Sequence, residues 1–116
     1  MDFEKNGCLL RIFIGESDRV HGRPLYEWLV NKAKEQELAG ATVLRGMMGF
    51  GKNSRIATSR ILRLSSDMPV VVEIIDTRDR LEAYLDSVGD AIDEGLATFE
   101  KADVVFYRGK KKGPGA

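Results

Sequence analysis

The chain has 116 residues, 43% of them hydrophobic and 31% charged, and its 18 lysines and arginines balance its 18 aspartates and glutamates. That length accommodates one domain around one core, and a net charge of zero argues against a general nucleic-acid binder, which carries a basic excess. Cys8 is the sole cysteine, which excludes an internal disulfide and any cysteine-rich metal site.

Residues 1–7, Met-Asp-Phe-Glu-Lys-Asn-Gly, lack the basic start and apolar run of a secretory signal. No apolar stretch nears the ~20 residues that span a bilayer. A reducing cytoplasm is the expected location. The first strand is residues 8–15, Cys-Leu-Leu-Arg-Ile-Phe-Ile-Gly, a β-branched and aromatic run closed by glycine. A polar loop follows to Gly22. Pro24 suits a first helical turn, and Leu25, Trp28, Leu29 and Ala33 keep a helical period that Gly40 ends. Residues 41–47 read as a second strand and residues 46–59 as a long glycine-containing loop. A short strand is expected at 60–64 and a strong one at 70–75 after Pro69. Asp76 or Thr77 can cap a second helix, which carries Leu81, Tyr84, Leu85, Val88 and Ile92 and stops at Gly95. Residues 104–107 read as the last strand. Residues 1–7 and 109–116 are expected to be flexible ends of a single domain spanning 1–116.

The order is β-α-β, loop, β-α-β. It predicts an α+β, ferredoxin-like βαββαβ sandwich with two helices on one face of an antiparallel sheet. The other face is unusual. Leu9, Arg11 and Phe13 share it on the first strand, and Val71, Glu73 and Ile75 share it on the strong strand. A water-facing sheet surface should be polar. Apolar residues with single charges predict a contact with another subunit, Arg11 and Glu73 pairing across it.

The stretch Gly46-Met47-Met48-Gly49-Phe50-Gly51-Lys52-Asn53-Ser54 approaches the phosphate-loop pattern. Asn53, however, stands where a hydroxyl would hold magnesium, and no companion aspartate is placed to serve the metal. A phosphate-loop hydrolase is set aside. The residues leave two readings open. Gly46, Gly49 and Gly51 can bring backbone amides to an anion beside Lys52 and Arg55, or they form a hairpin-like excursion that binds nothing. His21 reads as a solvated loop residue, Cys8 as a small buried one, and Trp28 as core or interface.

Gly49-Phe50-Gly51-Lys52, opening a long loop after the second strand, resembles the glycine-phenylalanine-glycine-arginine that opens the T-loop of PII signalling proteins. Residues 10–18 (Leu-Arg-Ile-Phe-Ile-Gly-Glu-Ser-Asp), 21–26 (His-Gly-Arg-Pro-Leu-Tyr) and 39–43 (Ala-Gly-Ala-Thr-Val), with Ser54-Arg55-Ile56, resemble an uncharacterised PII-like branch of small bacterial proteins. The resemblance implies a homotrimeric regulator, not an enzyme, with an adenine nucleotide as effector and no other cofactor. It implies a ligand cleft between subunits lined by Gly49 and Gly51. Lys52 would stand where a PII arginine meets phosphates and Asn53 where a glutamine sits. Arg55 would lie beside them, and Arg108 would reach in from a neighbouring subunit. A membrane transporter is the implied partner class, and no nucleic acid is expected. The second glycine-rich loop of PII proteins has only Gly95 as its counterpart here. The rival reading is a CutA-like structural or metal-tolerance trimer.

Overall fold

The apolar run at Cys8 forms β1 (Gly7–Gly15) in a computed structural model that describes residues 5–52, 57–58 and 67–110. The next segments, β2 (Arg19–Val20) and β3 (Arg23–Pro24), make a two-residue hairpin. Its turn residues His21 (φ 51°) and Gly22 (φ 74°) are both left-handed, the backbone that matches strand twist in so tight a turn. Then come α1 (Leu25–Glu35), β4 (Gly40–Arg45), and a small ladder of β5 (Met48–Gly49) with β6 (Ala57–Thr58). The strand β7 (Pro69–Thr77), helix α2 (Arg78–Val88), a 3-10 turn (Gly89–Ala91) and β8 (Leu96–Lys101) complete the order.

The main sheet has the order β4-β7-β1-β8, antiparallel throughout. This is the ferredoxin-like arrangement expected from the sequence. One face carries Leu10, Ile12 and Ile14 against Val70, Val72 and Ile74. Onto it pack Leu25, Leu29 and Ala33 of α1 and Leu81, Tyr84 and Val88 of α2. Each large side chain so buried contributes about 1.5–3 kcal/mol. The buried hydroxyl of Tyr84 donates to the Leu29 carbonyl at 2.6 Å and thereby ties the two helices.

The first, second and strong strands shift by one or two residues at their ends, and three further boundaries differ more. The helix α1 ends at Glu35 rather than near Gly40, with Leu38 packed on the core from the following loop. The helix α2 ends at Val88, and Ile92 reaches the core from beyond it. The last strand is Leu96–Lys101, not 104–107. Its partner β1 explains this: the register runs from Phe13 opposite Leu96 to Cys8 opposite Lys101, and Ala102 bonds the Gly7 carbonyl. There β1 is used up. The more β-prone Val104, Val105, Phe106 and Tyr107 fall beyond the end of β1. The strand expected at 60–64 and the outer parts of the expected flexible ends lie outside the described residues.

On the open face, strand register creates three rows. Leu44, Val71, Phe13 and Leu96 form an apolar band, with Leu44 48%, Phe13 37% and Leu96 59% exposed. Thr42, Glu73, Arg11 and Thr98 form the next row, and Gly40, Ile75, Leu9 and Glu100 the third. The expected pairing of Arg11 with Glu73 across subunits is corrected here. Register sets them opposite each other within one chain, and Arg11 Nε donates to Glu73 at 2.9 Å while Nη1 donates to Glu100 at 2.5 Å. The Glu73 hydrogen bond, with Glu100 adding to it, raises the Arg11 pKa.

Candidate functional site

The end of the sheet where β4 stops and β7 starts gathers three chain segments. The Glu16 amide donates to the Met68 carbonyl at 2.8 Å, and the Ser17 amide donates to Asp67 at 3.0 Å. The Asp18 carboxylate turns back to accept the Gly15 amide at 3.0 Å. From β4, the Gly46 amide donates to the Pro69 carbonyl at 2.7 Å. A Cβ on Gly46 would lie 2.9 Å from Pro69 Cγ, and one on Gly49 would lie 3.3 Å from it. The base of the loop is therefore pressed onto a proline ring. Glycine at both positions has a packing reason independent of any ligand.

Beyond that base the chain is presented outward. Phe50 is 74% exposed, and Gly51 and Lys52 are exposed as well. Of the residues singled out from the sequence, Gly49 pairs with Ala57 in the β5–β6 ladder, and Gly51 and Lys52 follow directly. Asn53 and Arg55 lie outside the described residues. Arg108 stands elsewhere. Its guanidinium lies 4.3 Å over the Phe106 ring, and neighbouring Tyr107 donates to the Ala39 carbonyl at 2.7 Å. Ala39 precedes β4 and Gly46 follows it, so the six residues of that strand, about 20 Å of extended chain, separate the two. The Tyr107 anchor and the base of the loop thus lie at opposite ends of β4.

Reading the sequence for glycines and lysine missed Arg45. Its Nε donates to both carboxylate oxygens of Glu16 at 3.1 Å, at the foot of the same loop. The available signal was parity, because Ala41, Val43 and Arg45 share the helix-facing side of β4 and a charge there demands a partner. A surface concavity of about 450 Å³, lined by Asn6, Thr77, Arg78, Asp79 and Arg80, lies at the opposite end of β7 and shares no residue with this cluster. Among the described residues, no three histidine, cysteine, aspartate or glutamate side chains are grouped to hold a metal ion. No described helix is long and apolar enough to cross a membrane.

Residues 7–104 match the family described as DUF190, Uncharacterized ACR, COG1993. The chain belongs to the DUF190 family. A UPF0166 protein of Aquifex aeolicus (strain VF5) is 40% identical over 98 residues, 84% of this chain and 92% of that protein. In fold, this DUF190 chain is similar to CPII, a nitrogen regulatory PII-like protein of Thiomonas intermedia K12 whose structure holds ADP, AMP and bicarbonate. The TM-score is 0.63 at 10% identity, over 83% of this chain and 85% of that one. It is also similar to the divalent ion tolerance protein CutA1 of Ehrlichia chaffeensis, with TM-score 0.58 at 12% identity over 84% and 82% of the two chains. DUF190 is thus an uncharacterised branch with the PII-like fold.

The other residues weighed from the DUF190 sequence fall as follows. His21 is exposed at its hairpin tip, its ring 6.1 Å from that of Trp28, which is half-buried against the core. Cys8 is buried. Gly95 lies at the foot of β8, where a Cβ would meet the Phe13 carbonyl at 2.8 Å. Sheet packing accounts for this glycine, the only counterpart of a second phosphate loop.

Proposed function

We propose that this chain is a PII-like regulator rather than an enzyme, acting in the cytoplasm as a homotrimer. It binds a small anionic effector, an adenine nucleotide first, at subunit boundaries and signals through residues 46–59. The observation that carries this reading is the division of the loop. A base fixed on Pro69 by Gly46 and Gly49 is followed by exposed Phe50, Gly51 and Lys52, an amide-and-lysine arrangement suited to oxyanions. In this reading Asn53 and Arg55 complete the loop's contribution, and Arg108 arrives from a second subunit. The ADP, AMP and bicarbonate in the similar Thiomonas protein support the choice of ligands to try. The partner class implied by the resemblance is a membrane transporter.

Calorimetric titration with ATP, ADP, AMP and bicarbonate tests the proposal. Lys52→Ala is expected to weaken binding by about 1.5–3 kcal/mol, the usual worth of a charge-assisted hydrogen bond. Gly51→Val is expected to do at least as much by blocking backbone approach. No binding by the wild type would overturn it, and steady phosphate release abolished by Lys52→Ala would restore the enzyme reading. The likeness to CutA1 favours the rival, a metal-tolerance trimer without a nucleotide. Selective Cu²⁺ binding with no nucleotide binding would establish that one instead.

A further inference from the structure

Arg45 ends β4 immediately before the Gly46 that anchors the loop to Pro69. A guanidinium carries five N–H donors in a rigid fork. Among the described residues only Nε is engaged, shared between the two oxygens of Glu16. Among the described residues, the Nη1 and Nη2 groups of Arg45 have no partner, and the side chain is 46% exposed. The backbone that carries Glu16 is pinned by the Met68 carbonyl and, one residue on, by Asp67. Its carboxylate therefore swings from a fixed point. The two other carboxylates at this end, Asp18 and Asp67, are held by backbone amides of Gly15 and Ser17. Glu16 alone among them is spent on a cation.

We propose that Arg45 is an oxyanion-binding residue of the loop-side site and that Glu16 is its internal competitor, a carboxylate that occupies the guanidinium until an effector's phosphate or carboxylate takes it. The proposal rests on the reading of an anionic effector beside Gly51 and Lys52 and adds the residue that would receive its charge. An exposed ion pair is held weakly, so Glu16 yields readily. An incoming oxyanion gains the unused Nη fork, which grips two oxygens at once. The exchange cuts the side-chain tie between the segment after β1 and the foot of the loop. Binding is thereby reported where the signalling loop begins.

The experiment is calorimetric titration of the full chain with ADP and, separately, with bicarbonate, each variant first checked for a wild-type thermal midpoint. Glu16→Gln is expected to tighten binding by about three- to tenfold, and Arg45→Ala to weaken it by about tenfold or more. Arg45→Lys, which keeps charge but not the fork, is expected to fall between. The double variant is expected to bind no more tightly than Arg45→Ala alone, since the competitor matters only through the arginine. A response to ADP assigns a phosphate, and one to bicarbonate a carboxylate-like group. If the wild type binds, and Lys52→Ala weakens it while the Glu16 and Arg45 variants match the wild type, this inference fails and the proposed function stands. If neither probe binds the wild type or any variant, both fail.

Discussion

Asp76 is fully buried, and every contact it makes spends its charge. It accepts the Ala39 amide at 2.8 Å and the Thr77 amide at 2.7 Å, and it pairs with Arg80 at 3.0 Å. The sequence suggested a helix cap. The residue instead joins the end of β7, the turn into β4 and the first turn of α2. Asp76→Ala should cost about 3 kcal/mol in urea unfolding, because it removes the acceptor of the Ala39 and Thr77 amides and the buried carboxylate paired with Arg80; a loss below about 0.5 kcal/mol would contradict that role. Tyr84 makes a different prediction. Burial pushes its hydroxyl up from the ordinary value near 10. Above that pH the unfolded chain releases the proton and the folded chain keeps it, so stability is lost as pH rises. Tyr84→Phe should cost about 1 kcal/mol at pH 8 for the lost hydrogen bond. The gap from wild type should narrow between about pH 9 and 11. An unchanged gap across that range would count against the assignment.

At the scale of elements, the loop base is a packing device. Gly46→Val drives a Cβ branch into Pro69, 2.9 Å from Cγ, and overpacking of this kind costs about 1–3 kcal/mol. The thermal midpoint should fall. Trypsin should also cut after exposed Lys52 sooner in this variant than in wild type, and in both before it cuts α2. Cleavage within α2 first would contradict the assignment. How much of this could be read beforehand depended on periodicity. The strands around Ile12 and Val72 and both helices were legible because their apolar residues repeat with a clear period. The strand Leu96–Lys101 was not, because only Phe99 of its six residues packs on the core and its other positions imitate a surface. Helix ends were overrun for a related reason: Leu38 and Ile92 reach the core from loops and extend the apparent period. The glycines near residue 50 were read as amide donors or as a hairpin-like excursion, and their packing was the reason missed. Two of the three answer to Pro69, a contact between residues 20 or more apart in sequence that no local pattern announces.

At the scale of the whole molecule, the open sheet face is the large unspent surface. Its charges are already satisfied within the chain by Arg11, Glu73 and Glu100, which leaves the Leu44-Val71-Phe13-Leu96 band as the apolar part for a second copy to cover. Light scattering at micromolar concentration is expected to give a trimer mass. Phe13→Glu is expected to give monomers with the fold intact by circular dichroism. A monomeric wild type would overturn the homotrimer. The fold class was readable from the order of elements, whereas this pairing was not, because strand register decides whether a charge meets its counterpart at home or abroad.

The Tyr107 anchor at one end of β4 and the loop base at the other have a consequence for dilution once Arg108 is drawn from a second chain, as proposed. A small molecule gripped by Lys52 of one chain and Arg108 of another makes its occupancy and the chains' association one linked equilibrium. Apparent affinity then falls as protein concentration drops, and added ligand shifts the mass distribution upward by the same free energy. A ligand that uses only the Lys52 side of the loop would show neither effect. Titrations repeated across a hundredfold range of protein concentration would separate the two cases without any substitution in the chain.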